Sequence, residues 1–211
     1  GGIAAQTIFL AFADITYRKV NLEHDSASVQ NLMEGGLLMI LLVLILMFIN
    51  TPEVTLFNIH PGSILLVLIY LLGMRLTSKA GESPMWRPRQ TQETVFDIAD
   101  ETETETSQRQ WVNWLSFAVL GLLVGGAGYG IAQTAIVIAQ QTGLSETIVG
   151  SLMTAVVTSL PELVTTLAAV RQGALTLAVS GIIGGNTFDV LFVAFSDWAY
   201  VDSIFHHITF K

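Results

Sequence analysis

The sequence contains no cysteine, which excludes disulfides, thiol nucleophiles and cysteine-ligated metals and leaves the redox compartment open. Charge is also scarce, because Asp, Glu, Lys and Arg together make 12% of the chain against 52% hydrophobic residues. Lys and Arg number 9 against 17 Asp and Glu, a formal net charge of -8, so the basic surface that a nucleic-acid partner requires is missing. The four histidines, His24, His60, His206 and His207, fall in or beside predicted loops, and no spaced pair of them supports a metal site. No cleavable signal is recognisable, and the chain opens on Gly1 without a methionine, from which we expect it to be clipped.

What the sequence does hold is apolar residues in blocks too long for an ordinary soluble core. They predict six membrane segments, at 1–17, 35–49, 63–74, 111–141, 144–171 and 174–200, and hence an all-α polytopic protein with the lipid bilayer as its partner. The segments at 35–49 and 63–74 are joined by a short turn region and predict a hairpin. Trp111 and Trp114 stand where aromatic side chains anchor at an interface. The run VGGAGYG at 124–130 lies inside an apolar segment without the strand–turn–helix context of a phosphate loop, so it predicts close packing between membrane helices.

Three regions follow: a first half at 1–76, a hydrophilic acidic linker at 77–110 carrying the DETETET run from Asp100, and a second half at 111–211. Basic residues orient them. Arg18, Lys19, Arg75, Lys79, Arg87, Arg89, Arg109 and Arg171 fall on one side if the chain crosses at every segment, whereas the loops at 50–62 and 141–146 hold no Lys or Arg. The side rich in Lys and Arg is cytoplasmic by the positive-inside rule, so the linker is expected there. Only Lys211, at the chain end, disagrees.

Sliding the chain along itself by 183 residues aligns 1–17 with 184–200, with identities at Gly1/Gly184, Gly2/Gly185, Phe9/Phe192, Ala11/Ala194, Phe12/Phe195, Asp14/Asp197 and Tyr17/Tyr200. The first copy leads into Arg18 and Lys19 and the second into Val201 and Asp202, so the copies are expected to cross in opposite directions. Inverted repeats with broken helices are an architecture of secondary transporters. The second copy is preceded by a segment holding Pro161 and Glu162. The equivalent of that segment for the first copy, and a counterpart of the 35–74 hairpin after Lys211, are expected beyond the two ends of this chain.

Carboxylates in mid-membrane cost about 2.5 to 3.5 kcal/mol each on an insertion scale and usually serve a function, so Glu162 and Asp189 mark the candidate site. Pro161 has no N–H and clashes with the carbonyl four residues back, so the helix through 144–171 should break near Thr158 and Ser159. That break frees carbonyls near Val157 and Thr158, and either Thr158 or Ser159 becomes the cap of a half-helix with Glu162 in its first turn. Gly184 and Gly185 permit close backbone approach, and Asn186 and Asp189, at i and i+3, share one helix face. The donor set is all oxygen, which suits hard cations such as calcium or sodium.

TSLPELVTT at 158–166 and GGNTFDVLF at 184–192 resemble the second alpha-repeat of the sodium/calcium exchanger, or cation/calcium antiporter, superfamily. The resemblance is strong over about forty residues, and through the repeat, the linker and the segment order it extends over the chain. It implies an inverted-repeat transporter with Glu162, Thr158, Ser159 and Asp189 as ion ligands, Asn186 in support and Gln6 offering one carbonyl oxygen from the first copy. This sequence departs from the family pattern in having Val157 for a glycine, Gly185 for a serine, and Ile3 and Gln6 in the first copy. The implied function is antiport of calcium against sodium or protons by alternating access, without an enzymatic activity or a resident cofactor, in the cell membrane. The alternatives are a channel-like or structural membrane protein, or a membrane hydrolase using Glu162 and Asp189 as acid and base.

Overall fold

The computed structural model describes residues 1–16, 22–51, 59–82, 84 and 107–199, and these are helical apart from short connections. Arg18, Lys19, Arg87, Arg89, Asp202, His206, His207, Lys211 and residues 83 and 85–106 of the 77–110 linker lie outside the described residues. The helices are α1 (Gly2–Thr16), α2 (Leu22–Asp25), α3 (Val29–Ile49), α4 (Pro61–Glu82), α5 (Ser107–Thr142) and α6 (Glu146–Ile148). A π-helical turn at Val149–Thr154 follows, then α7 (Ala155–Thr158), α8 (Leu160–Gln172), α9 (Leu175–Asp189) and α10 (Leu191–Ala199).

Among the described residues, five stretches are long and apolar enough to cross a membrane: Val29–Ile49, Pro61–Glu82, Gln110–Thr142, Val149–Gln172 and Leu175–Ala199. The protein is thus an all-α polytopic membrane protein. The first of the six expected segments, α1, is apolar but has 15 residues. At about 1.5 Å per residue it reaches about 22 Å, short of a hydrocarbon core of about 30 Å. Large apolar side chains face outwards, including Met39, Leu46, Leu72, Leu122 and Val164, as expected of helices solvated by lipid.

The chain forms two compact units. The unit made of Gln6–Asp97 and Glu162–Lys211 is built on the predicted hairpin, α3 against α4. Its glycines set the spacing. A Cβ at Gly62 would collide with the Phe48 ring, and one at Gly73 with the Leu37 side chain. The pairs 48/62 and 37/73 run in opposite senses along the two helices, giving an antiparallel pair held close by small residues. The same unit has a core of Ala13, Leu22, Val170, Leu175, Ala178 and Val179, which joins α1, the end of α8 and the first turns of α9. Gly173, at φ 81°, stops α8 in the left-handed conformation that favours glycine, and the Ala174 N–H returns to the Ala169 carbonyl.

The other unit comprises Gly1–Ala5 and Ile98–Pro161. In it α5 runs for 36 residues, about 54 Å at about 1.5 Å per residue, longer than a bilayer core is thick. Gly143, at φ 69°, ends it. The glycines of 124–130 do not pack as expected: a Cβ at Gly125, Gly126, Gly128 or Gly130 would meet no atom of the described residues within 4 Å. Gly1, by contrast, lies so close to the Ser151 carbonyl and to Ala155 that a side chain there could not fit.

Candidate functional site

The helix carrying the Pro-Glu pair breaks where proline requires it. α7 ends at Thr158, Ser159 leaves the helical region with ψ at 1°, and α8 resumes at Leu160. The turn before the break is π-helical, a local widening common at functional sites. Two expectations change in detail. The Val157 carbonyl is not left free, because the Ser159 N–H is directed at both Ala155 and Val157. The Thr158 hydroxyl donates backwards, to the carbonyls of Thr154 at 2.9 Å and Ala155 at 3.3 Å, which satisfies the turn behind it and not the half-helix ahead. Thr158 is exposed and Ser159 is buried.

Four of the six predicted residues, Gln6, Glu162, Asn186 and Asp189, fall in the unit built on the α3–α4 hairpin, and two of them meet. The Gln6 side-chain nitrogen donates to Asp189 Oδ2 at 3.4 Å, a long hydrogen bond that joins residues 183 positions apart. That separation is the repeat offset, so the contact links the same position in the two copies. Gln6 is 5% exposed and Asn186 is 1% exposed. Glu162 sits apart from them in a cavity of about 260 Å³ lined by Thr165, Thr166, Leu177, Ala178 and Gly181.

The oxygens are distinctive. Gln6 Oε1, Glu162 Oε2 and Asn186 Oδ1 are each closed to solvent and have no hydrogen-bond donor among the described residues. Buried acceptors are normally paired, and one left alone costs about 1–3 kcal/mol. Each of the three orphaned oxygens belongs to a residue whose type suits a hard cation. No group of three or more His, Asp or Glu that would hold a metal occurs among the described residues, so any ion here relies on amides, hydroxyls and carbonyls beside the carboxylates.

α9 stops at Asp189 and α10 starts at Leu191, and Val190 between them stays in the helical region at φ -59° and ψ -30°, so the second copy of the repeat runs on as one helical stretch. A ladder of rings, Tyr70, Phe188, Phe192, Phe195 and Trp198, with centroids 5.6 to 6.3 Å apart, spans that junction and ties it to α4. Past it lies Asp197, fully buried, accepting from the His60 N–H at 2.9 Å and the Ser63 hydroxyl at 2.6 Å. Its repeat mate Asp14 accepts from the Leu22 N–H at 3.1 Å. The shared Asp of the repeat signalled both residues, but nothing local in the sequence ties Asp197 to α4.

Two further residues of the site's kind escaped the sequence. Asn31 Oδ1 and Glu34 Oε2 are also buried without a donor. Glu34 stands at the edge of the apolar block that begins at Gly35, so it reads as part of the polar stretch before the span. The helix in fact starts at Val29, because Ser28 caps it by accepting from the Asn31 N–H at 3.0 Å. The signal that was available is the spacing: Asn31-x-x-Glu34 repeats Asn186-x-x-Asp189.

Comparison with known proteins bears on residues 112–204, which match the family described as sodium/calcium exchanger protein. The chain is 38% identical over 71 residues to the sodium/calcium exchanger MaX1 of Methanosarcina acetivorans, covering 34% of this chain and 20% of that one. It is 39% identical over 80 residues to the inner membrane protein YrbG of Escherichia coli, covering 38% and 24%. To the human sodium/potassium/calcium exchanger 3 it is 30% identical over 100 residues, covering 46% and 16%. The chain therefore spans a quarter or less of the length of these relatives. No solved structure matches it.

Proposed function

Because residues 112–204 match the sodium/calcium exchanger family, we propose that this chain forms part of a membrane antiporter that exchanges calcium for sodium or protons by alternating access. The observation that carries this reading is the Gln6–Asp189 contact between repeat copies, together with buried, donorless oxygens on Gln6, Glu162 and Asn186. Glu162 and Asp189 supply two negative charges that balance one calcium or two monovalent ions, and the amide oxygens of Gln6 and Asn186 complete coordination without adding charge. Calcium takes about 6–8 oxygens, so water or other parts of the whole protein supply the remainder. Thr158 and Ser159 enter as ligands through the family resemblance.

The gap in the Pro-Glu helix is the physical basis of exchange. Interrupting α7–α8 at Ser159 creates helix ends within the membrane, and such ends attract ions. A loaded and an empty site then differ by the charge they bury, which ties reorientation to occupancy. We place the protein in the cell membrane with the 77–110 linker in the cytoplasm, on the distribution of Lys and Arg.

Vesicles containing the full-length protein should take up calcium when a sodium or proton gradient is imposed. Glu162→Gln should abolish that uptake while leaving the protein folded in detergent. No uptake under either gradient overturns the antiport reading, and wild-type uptake by Glu162→Gln overturns the assignment of Glu162.

A further inference from the structure

We propose that α3 carries a second cation site, formed by Asn31 and Glu34, that takes a monovalent alkali cation. The two residues stand at i and i+3, so their side chains leave the helix on one side with Cβ atoms about 5–6 Å apart. The Asn31 amide has a settled orientation. Its nitrogen donates to the Ser26 carbonyl at 2.8 Å, a group that only accepts, and this directs Oδ1 elsewhere. Asn31 is 6% exposed, and that oxygen has no donor.

Glu34 presents the second oxygen, and glycines surround it. Its carboxylate lies against Gly184 of α9, where a Cβ would stand 3.5 Å from Oε2. Gly35 and Gly36, next to it on α3, leave open space on their own sides. Oε2 is closed to solvent and has no donor among the described residues, although it belongs to a carboxylate in a membrane-spanning helix. A charge in this setting is retained only with a counter-charge.

The chemistry selects the ion. One carboxylate and one amide oxygen give a single negative charge and two hard donors, too few and too weakly charged for a divalent ion that takes about 6–8 oxygens. A monovalent alkali cation neutralises that single charge. The site extends the antiport reading, on which the use of saturating calcium in its test rests. Gly184 belongs to the same helix as Asn186 and Asp189, so filling this site stiffens the segment that carries them.

The test counts radioactive sodium and rubidium bound to the detergent-solubilised full-length protein in saturating calcium, which occupies the Glu162 and Asp189 site. We expect one monovalent ion per chain in the wild type, and at least a tenfold loss of affinity in Glu34→Gln and in Asn31→Leu. Asn31→Asp, which adds a charge and keeps the oxygen, should bind the ion more tightly and guards against loss through misfolding. Preference between the two isotopes identifies the ion. Absence of monovalent binding in saturating calcium, or wild-type affinity in both Glu34→Gln and Asn31→Leu, overturns the proposal. A wild type that binds sodium or rubidium but transports no calcium overturns the antiport reading and leaves this site standing.

Discussion

Gln6 and Asp189 occupy the same place in the two copies of the repeat, yet one is a neutral amide and the other a carboxylate, and each is the other's hydrogen-bond partner. Asp14 and Asp197 also correspond, and here the residue is kept while its task changes. Asp14 receives one backbone N–H from eight residues away, whereas Asp197 receives a backbone N–H and a hydroxyl from residues 137 and 134 positions back. One copy therefore supplies a neutral oxygen and a local cap, and the other supplies the charge and a long-range clamp. A duplicated unit whose copies face each other has no need to duplicate its charge, since a single carboxylate reached from both sides serves both.

The clamp gives the largest expected effect. Asp197→Ala removes the acceptor of two donors at a fully buried position, so it should cost about 4 kcal/mol, read as a drop in thermal stability in detergent. Ser63→Ala, which removes one of those donors, should cost much less, because the carboxylate keeps the His60 N–H. Equal losses from the two substitutions would show that the carboxylate is not the hub of this contact.

Next comes the charge at the meeting point. Asp189→Asn retains an oxygen for the Gln6 amide and should fold, but it removes the one charge of the pair, so calcium affinity should fall about a hundredfold, or about 2.7 kcal/mol. A binding isotherm on the full-length protein checks this, and an affinity within a few-fold of wild type would mean that the ion does not sit at this pair. The converse substitution, Gln6→Glu, makes the two copies equal. With two carboxylates facing each other, binding of a divalent ion should tighten about tenfold, and the ion-free protein should lose stability through like-charge repulsion. If it bound calcium no better than wild type, the asymmetry between the copies would carry no functional weight.

How much of this was readable from the chain follows from the range of the forces involved. Pro161 acts on its own helix, so the break near Ser159 was predicted to within a residue. The repeat offset identified Gln6 as the mate of Asp189 before any contact was known. The fold class followed from the apolar blocks, although α5 is much longer than a span. What failed to show was set by partners far along the chain or by an unforeseen boundary. The clamp on α4 from Asp197 leaves no local pattern. Glu34 was hidden by a cap at Ser28 that carries α3 back through a stretch that reads as polar loop. The glycines of 124–130 read as a packing face, yet no described helix lies against Gly125, Gly126, Gly128 or Gly130.

The smallest effect is the sharpest measure of the difference between the copies. Asp14 is half-buried and holds one N–H at the start of α2, a short helix of four residues, so Asp14→Ala should cost about 1 kcal/mol, the usual value of a helix cap. Asp14→Asn keeps an acceptor for the Leu22 N–H and should recover most of that loss. At Asp197 the same change to Asn should recover less, because one carboxylate oxygen, Oδ2, accepts from both His60 and Ser63 and an amide oxygen is the weaker acceptor for two donors. Thermal unfolding of the four single variants, Ala and Asn at each position, therefore gives two differences. A recovery at position 197 equal to that at position 14 would mean that the two aspartates do the same work, and that the copies diverge only at Gln6 and Asp189.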